Sequence, residues 1–201
     1  MGASSKSGGR GYLLAKRIFD IAMSVVAGVV LLLPMLVIGS LIRLESEGPA
    51  VYSQERLGKD GRPFVMYKFR SMVLDAEAEG PCWAEEDDPR CTRLGRVLRR
   101  SRLDELPQLY NIFIGDMSFV GPRPERACFY EEFSRDIPDF PKRLQVQPGL
   151  TGHAQVNGGY YLGPEEKLKY DLEYMENRSL GMDVACLFRT VAVVLTQDGA
   201  R

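Results

Sequence analysis

The stretch IAMSVVAGVVLLLPMLVIGSLI, residues 21–42, runs for 22 residues without a charged side chain. A straight helix of that length rises about 33 Å, which is enough to cross the hydrocarbon core of a bilayer. Pro34 lies inside the run and lacks the backbone N–H that a helix interior requires, so we expect a kink near it. This segment sets how the rest of the chain meets a membrane.

Basic side chains flank the apolar run at both ends: Lys6, Arg10, Lys16 and Arg17 before it, and Arg43, Arg56 and Lys59 after it. The positive-inside rule would hold both ends in the cytoplasm. A cleaved signal peptide and a simple spanning helix remain open as alternatives, although no small-residue cleavage site follows the run. We favour a re-entrant helix that enters one leaflet, bends near Pro34 and returns.

The overall charge excludes little, but its distribution is uneven. The chain has 201 residues and a net charge of −1, so nothing points to nucleic acid as a partner. Residues 75–88 carry seven acids and no base, whereas residues 90–102 carry six arginines and no acid. Four cysteines without C-x-x-C spacing and a single histidine argue against zinc and fit a reduced cytoplasmic setting.

The remaining pattern predicts short elements. Residues 50–72 predict two strands joined at Asp60-Gly61, and the acidic stretch 75–88 and the glycine-rich stretch 147–159 predict loops. Helices are predicted from Arg93 with Thr92 as cap, from Asp104 as cap, over 125–135 and over 164–177. Residues 184–196 predict a core or interfacial helix. The predicted apolar faces are Leu94, Val97 and Leu98 in the first helix, and Leu109, Ile112 and Phe113 in the second.

Asp104 and Glu105 are adjacent carboxylates at a predicted helix start. Free N–H groups there would keep a carboxylate ionised, and an ionised carboxylate can attack a phosphoryl group or bind Mg²⁺. The plainer alternative is a capping residue followed by a first-turn acid. Arg123 lies between Pro122 and Pro124, which stiffen the chain and present its guanidinium to a phosphate; a partner such as Asp116 is the alternative.

Other polar residues are weaker candidates. Lys68 and Arg70 share one face of a strand and could neutralise a diphosphate, or simply protect a sheet edge. Arg99 and Arg100 belong to a basic helix face that could meet lipid phosphates or only solvent. The side-chain amides of Gln155 and Asn157 could read a base or sugar edge, although Asn-Gly is commonly a turn, and His153 alone is more often a structural loop residue.

Three motifs in order, KFRSM (68–72), LDELPQLYNIFIGDMSFVGPRP (103–124) and PGLTGHAQVNG (148–158), follow the apolar helix. Together they resemble the bacterial sugar transferase family, the monotopic phosphoglycosyl transferases, over about residues 12–198. The chain departs from many relatives at Leu33-Pro34, where they carry Ser-Pro, and at His153, where they often carry an apolar or aromatic residue. It looks like the minimal catalytic form, without a further membrane region in front.

The resemblance implies transfer of sugar 1-phosphate from a UDP-sugar to polyprenol phosphate, with Mg²⁺ as cofactor and UMP as product. It assigns Asp104 as nucleophile and metal ligand, carrying the phosphosugar covalently, and Glu105 as its partner; Asp183 matches a commonly acidic position. Membrane lipids are implied partners, whereas self-association and downstream glycosyltransferases stay open. A non-catalytic scaffold of a glycan-assembly complex and a membrane-surface UDP-sugar hydrolase are the competing functions.

The expected architecture is therefore α+β and mostly helical. We predict a disordered tail over 1–11, a re-entrant membrane helix over 12–44, and a small catalytic domain over 45–201. That domain would contain a short β-hairpin and interfacial amphipathic helices, and would lie against the cytoplasmic face of the bacterial inner membrane.

Overall fold

The computed structural model describes residues 8–78, 80 and 88–196. Residues 1–7 of the predicted tail, and residues 79 and 81–87 of the predicted acidic loop, lie outside this range. The first helix begins at Arg10, so the last two residues of the predicted tail are helical.

Two helices, α1 (Arg10–Val30) and α2 (Leu32–Glu45), meet at Leu31 with a bend of 62°. The bend precedes Pro34, which is the third residue of α2. A proline is tolerated in the first turn of a helix, because the N–H groups there have no partner within that helix. No single helix in the described part of the chain is long and apolar enough to cross a membrane, whereas this bent pair together meets the requirement.

The predicted hairpin is confirmed. Strands β1 (Val51–Leu57) and β2 (Pro63–Phe69) pair antiparallel around a turn in which Asp60 and Gly61 both have positive φ, 58° and 72°. Alternation along β2 buries Phe64 and Met66 on one face, which pack against Leu109, Ile112 and Met117. The hairpin is thus fixed to the centre of the domain by its second strand.

Helices α3 (Arg93–Arg100) and α4 (Gln108–Ile114) follow, separated by a 3₁₀ turn over Leu103–Glu105. Thr92 caps α3 as predicted, since its Oγ1 accepts from the Gly95 N–H at 2.9 Å. Two predicted core positions are wrong: Val97 and Phe113 are 60% and 46% exposed. Both helices are short and bury a narrow stripe, Leu98 in α3 and Leu109 with Ile112 in α4.

The prediction of a loop over 147–159 is wrong. Strand β4 (Gly149–Thr151) lies parallel to β3 (Ser118–Val120), and a short helix, α6 (His153–Val156), follows it. Glycine makes this pairing possible, because a Cβ on Gly149 would lie 2.1 Å from the Gly121 backbone nitrogen. The glycines therefore mark a close approach of two backbones and not a flexible connection.

The remaining helices are confirmed: α5 (Ala127–Asp136), α7 (Pro164–Asn177) and α8 (Leu180–Thr196). Their buried side chains form two small clusters, one with Tyr130, Phe140 and Leu168, the other with Val120, Tyr174 and Cys186. Helix α8 packs by one face only, since Phe188 and Leu195 are 74% and 78% exposed.

The N-terminal half of α1 is joined to the domain by polar contacts on one side of the helix. Tyr12 Oη and Lys16 Nζ both donate to Asp183 Oδ2 at 2.9 Å. Arg17 donates to the carbonyls of Ile112 and Phe113 at the end of α4, each at 2.7 Å. Asp20 Oδ1 accepts from the Phe119 N–H at 3.1 Å. The bent pair is therefore part of the folded domain at its base.

Candidate active site

Asp104 and Glu105 lie in the tight turn between α3 and α4. The preceding residue, Arg102, has a positive φ of 58°, and the turn brings both carboxyl groups into the interior, each residue only 7% exposed. Because α4 begins at Gln108 with Pro107 as its cap, the prediction that Asp104 caps this helix is wrong. A buried turn, and not a helix terminus, presents the two acids.

Glu105 is held by two cations. Arg123 Nη2 donates to Glu105 Oε1 at 2.5 Å, and Lys68 Nζ lies 3.4 Å from the same oxygen. Burial favours the neutral acid, but the charges of Arg123 and Lys68 outweigh it and hold the pKa of Glu105 below its ordinary value. Glu105 is therefore an ionised anchor for Arg123.

Asp104 is in a different environment although it is the next residue. Its carboxylate makes no hydrogen bond or salt bridge to any residue within the described ranges. Desolvation by burial raises its pKa to about 6, against the opposing charge of Lys68. A carboxylate with a raised pKa and no partner is more basic, and so more nucleophilic, than an exposed one.

A cavity of about 460 Å³ opens beside this turn. Its volume is in the usual range for small-molecule sites. Among the described lining residues, basic side chains outnumber acidic ones by nine to four, so the cavity would attract a polyanion. The basic residues are Arg56, Lys68, Arg70, Arg90, Arg99, Arg102, Arg123, Arg126 and Lys167; the acidic ones are Glu77, Asp104, Glu105 and Glu125.

The loop that carries Arg123 is fixed by its backbone. Four consecutive carbonyls, from Pro122 to Glu125, each accept a hydrogen bond: from Gly149 N, Arg143 Nη2, Arg56 Nη1 and Leu57 N at 2.9, 3.0, 3.3 and 3.0 Å, respectively. These donors come from β4, from the Phe140–Gln145 turn and from β1. These four contacts fix the loop in addition to the stiffness expected from its two prolines.

Six of the ten predicted site residues line this cavity: Lys68, Arg70, Arg99, Asp104, Glu105 and Arg123. Arg70 is turned to the end of α2, where its Nη2 donates to Ser46 O at 2.9 Å, and Arg99 Nη1 donates to Cys91 Sγ at 3.2 Å. Gln155 lines an adjoining space of about 20 Å³. This adjoining space shares Arg102, Arg123, Glu125 and Lys167 with the main cavity.

Three predicted residues, Arg100, Asn157 and Asp183, line neither space. Arg100 is exposed on α3. Asn157 donates to the His153 carbonyl at 2.8 Å and accepts from Arg189 at 3.2 Å, so it joins α6 to α8. Asp183 accepts from Tyr12, Lys16 and Tyr174, the last at 2.7 Å, and so ties α1 to α7 and α8.

Several cavity residues were not singled out from the sequence. Arg56 comes from β1, Arg126 from the end of the Arg123 loop and Lys167 from α7, and only the fold brings them together. Arg90 and Arg102 belong to the arginine-rich stretch 90–102. The helical spacing of that stretch predicted a basic face on α3 and not a position in a cavity. No local pattern marks Arg56 or Lys167 as a site residue.

The described part of the chain contains no group of three or more side chains placed to hold a metal ion. Mg²⁺ in phosphate chemistry is commonly held by one or two carboxylates together with the phosphates of the substrate. The Asp104 carboxylate lines a mostly basic cavity and makes no hydrogen bond or salt bridge to the described residues, so it fits that donor set. Glu105 fits it less well, because Oε1 is already shared by Arg123 and Lys68.

Comparison with known proteins agrees with the family resemblance of the sequence motifs. The family model described as "Bacterial sugar transferase" matches residues 11–197. The UDP-N-acetylgalactosamine-undecaprenyl-phosphate N-acetylgalactosaminephosphotransferase of Aeromonas hydrophila is 44% identical over 193 residues, covering 94% of this chain and 46% of its own length. This chain therefore spans about half of that relative.

Two further relatives are similar. A Bacillus subtilis (strain 168) protein, with the provisional name undecaprenyl-phosphate N-acetylgalactosaminyl 1-phosphate transferase, is 54% identical over 66% of this chain and 74% of its own. The UDP-glucose:undecaprenyl-phosphate glucose-1-phosphate transferase of Caulobacter vibrioides (strain ATCC 19089 / CIP 103742 / CB 15) is 40% identical over 93% of this chain and 72% of its own. Two of these three names give N-acetylgalactosamine and one gives glucose, whereas the lipid phosphate is shared.

Proposed function

The chain belongs to the bacterial sugar transferase family, and on that premise we propose that it transfers sugar 1-phosphate from a UDP-sugar to undecaprenyl phosphate. The names of the relatives support the acceptor, since the same lipid phosphate appears in each of the three reported above. They do not agree on the sugar, so the proposal extends to the donor class and not to one donor.

The chemistry proceeds in two displacements at one phosphorus atom. An Asp104 carboxylate oxygen attacks the β-phosphorus of the UDP-sugar, and the bond from that phosphorus to the bridging oxygen breaks. UMP leaves with the electron pair, and the sugar phosphate remains on Asp104 as an acyl phosphate. An oxygen of the lipid phosphate then attacks the same phosphorus and releases the Asp104 carboxylate, giving a lipid diphosphate sugar.

The unequal environment of the two adjacent acids is the observation that carries this proposal. Glu105 is neutralised by Arg123 and Lys68, whereas Asp104 lines the cavity with a raised pKa and makes no hydrogen bond or salt bridge to any described residue. A pair that served only to stabilise the turn would have no reason to leave one buried carboxylate without a hydrogen bond or salt bridge to the described residues. The arrangement instead suits one acid that reacts and one that orients the surrounding cations.

Mg²⁺ is proposed as the cofactor, with Asp104 as its protein ligand beside the donor diphosphate. When bound, the ion would reduce the repulsion between the carboxylate and the phosphates and stabilise charge on the departing UMP. Lys68 and Arg123 contribute to the same end from the protein, because both lie at the Glu105 carboxylate next to the reacting acid.

We also propose that α1 and α2 enter the cytoplasmic leaflet and return, with the domain facing the cytoplasm. Large apolar side chains around the bend are exposed, Val29, Val30 and Leu33 by 72%, 68% and 71%. Such a patch is unfavourable in water and favourable in lipid. The polar contacts of α1 with the domain lie in its first three turns. Near the bend, Ala27 and Leu31 pack against the domain, whereas the exposed side chains would face the lipid.

UMP release from the purified protein in nanodiscs tests the function. A panel of UDP-sugars with Mg²⁺ is offered with and without undecaprenyl phosphate. We expect one or two donors to give continuous, lipid-dependent UMP release together with a lipid diphosphate sugar. UMP without lipid product would indicate a hydrolase, and no release from any donor would favour the scaffold.

The pH dependence of the first displacement provides a second prediction. Only the ionised Asp104 can attack, so the rate should fall as the pH decreases. The pKa of Asp104 is raised to about 6 without metal, and Mg²⁺ bound to it would move the fall to lower pH. A single-turnover burst of UMP without lipid acceptor isolates this step, since the lipid phosphate also titrates in this range. A burst rate that does not decrease even near pH 4, about the ordinary pKa of an aspartate, would contradict the assignment, provided that the protein remains folded throughout.

A further inference from the structure

A buried ion pair lies directly behind the Arg123 loop. Arg143 and Asp171 are 2% and 1% exposed, and Arg143 Nε donates to Asp171 Oδ2 at 2.6 Å. The same guanidinium donates from Nη2 to the backbone carbonyl of Arg123 at 3.0 Å. One planar group thus connects a buried acid of α7 to the residue that holds Glu105.

The guanidinium is fixed from a third side. Its central carbon lies 4.7 Å from the centre of the Phe140 ring, in a position for a cation–π contact. Phe140 and Arg143 belong to the same 3₁₀ turn, Phe140–Gln145, whereas Asp171 comes from α7. The donor to the Arg123 carbonyl is therefore oriented by two separate elements, and its direction is more restricted than that of an exposed arginine.

Stabilisation of the fold alone is a poor explanation for this pair. Within the described residues, Arg143 Nη1 and Asp171 Oδ1 are buried without a hydrogen-bond partner. A buried ion pair with unsatisfied atoms is commonly less stable than apolar side chains of similar volume. The contact to Arg123 offers a reason for its presence, since no apolar side chain could donate to that carbonyl.

We propose that Arg143 and Asp171 are a positioning pair for Arg123. Asp171 orients Arg143, Arg143 fixes the Arg123 backbone, and the Arg123 side chain then reaches Glu105 at 2.5 Å. Neither member of the pair lies against the reacting atoms in this arrangement. The inference rests on the proposed phosphosugar transfer, because it assigns the pair a part in that reaction.

The decisive variant replaces both charges together, Arg143→Met with Asp171→Leu. This change keeps most of the volume and leaves no uncompensated charge, so we expect folding to be retained. Donation to the Arg123 carbonyl is lost. We expect kcat for UMP release to fall by about 10- to 100-fold, with a smaller change in KM for the UDP-sugar, because orientation and not donor affinity is impaired.

A matched control lies in the same turn. Lys142 and Asp139 also form an ion pair of 2.6 Å, but their side chains are 48% and 59% exposed and do not contact Arg123. The double change Lys142→Met with Asp139→Leu should leave kcat within about twofold of wild type. Arg143→Lys is a further variant that keeps the charge. A single ammonium cannot reproduce the Nε and Nη2 fork, so its kcat should also fall.

Amide hydrogen exchange at Leu57, Gly121 and Gly149 gives a readout that does not depend on activity, because these N–H groups make the backbone hydrogen bonds of the Arg123 loop and Pro122 and Pro124 have none. We expect faster exchange in Arg143→Lys and in the apolar double variant than in the Lys142/Asp139 control. A folded apolar double variant with wild-type kcat and wild-type exchange would overturn the proposal. If the apolar double variant does not fold, Arg143→Lys with wild-type kcat and exchange would overturn it equally. A wild-type protein that releases no UMP would instead contradict the proposed function, while the exchange result would still test the positioning.

Discussion

Asp104→Asn is expected to reduce UMP release by at least about 1,000-fold and, at the same time, to make the protein more stable at neutral pH. The loss follows from the proposed role, since an amide cannot take the place of the attacking carboxylate. The asparagine keeps the size and shape of the side chain, so membrane association and donor binding should be largely retained.

The gain in stability follows from the raised pKa. The Asp104 pKa rises from 3.8 to about 6 on folding, so the folded state holds this proton more tightly than the unfolded state does. Ionisation of Asp104 therefore destabilises the fold, with no effect below about pH 4 and the full effect above about pH 6. Removing the charge should raise the free energy of unfolding by about 1–3 kcal/mol at pH 7.5.

Thermal unfolding at pH 7.5 and at pH 4, together with a UMP assay, would test both parts. The difference between Asp104→Asn and wild type should be clear at pH 7.5 and should diminish towards pH 4. Asp139→Asn is a suitable control, because its side chain is 59% exposed and should change neither property appreciably. Turnover near wild type would refute the assignment of Asp104 as nucleophile. A lower melting temperature than wild type at pH 7.5 would refute the claim that the ionised Asp104 destabilises the fold.

The sequence identified the central residues of this site but not their unequal environments. Asp104, Glu105, Arg123 and Lys68 were all candidates, and all four line one cavity. A helix cap was the predicted reason for keeping Asp104 ionised, whereas the structure places it in a buried turn that raises its pKa. Burial depends on the packing of distant segments, so no pattern within the motif could reveal this difference.

In the fold as well, elements set by neighbouring residues could be predicted, whereas those that depend on distant segments could not. The hairpin, the cap at Thr92 and helix α7 were predictable, because turn residues, capping side chains and helical spacing act within a few residues. Strand β4 was not predictable, since three residues are too few for periodicity and their partner, β3, lies about 30 residues earlier. Likewise, the cavity gains Arg56 and Lys167 only when β1 and α7 meet.

The anchoring of α1 adds a consequence for the whole molecule. Helix α1 contacts α4, the start of β3 and Asp183 of α8 through Arg17, Asp20 and Lys16. The Leu103–Glu105 turn precedes α4 by two residues, and the Arg123 loop follows β3. The proposed membrane helix therefore contacts the elements next to the Asp104 turn and the Arg123 loop, which places the candidate site at a fixed distance from the bend.

Arg123→Ala is expected to lower kcat/KM for the UDP-sugar by about 100- to 1,000-fold. Of the two cations that contact Glu105 Oε1, Arg123 is the nearer: its Nη2 lies 2.5 Å away, against 3.4 Å for Lys68 Nζ. Its removal would leave a buried carboxylate with insufficient compensation, raise the pKa of Glu105 and take one positive charge from the cavity. Arg123→Lys should be intermediate, because an ammonium keeps the charge but not the fork.

A double-mutant cycle with Glu105→Gln separates two ways in which Arg123 could act. If Arg123 serves only to hold Glu105, its loss should have little further effect once Glu105 has become an amide. If Arg123 also contacts the donor diphosphate, the losses should multiply, with a rise in KM that Glu105→Gln alone does not produce. Arg96→Ala, an exposed change on α3, is the control. Unchanged kcat and KM in Arg123→Ala would show that this residue is not part of the site. The four hydrogen bonds to the carbonyls of its loop would then need another explanation.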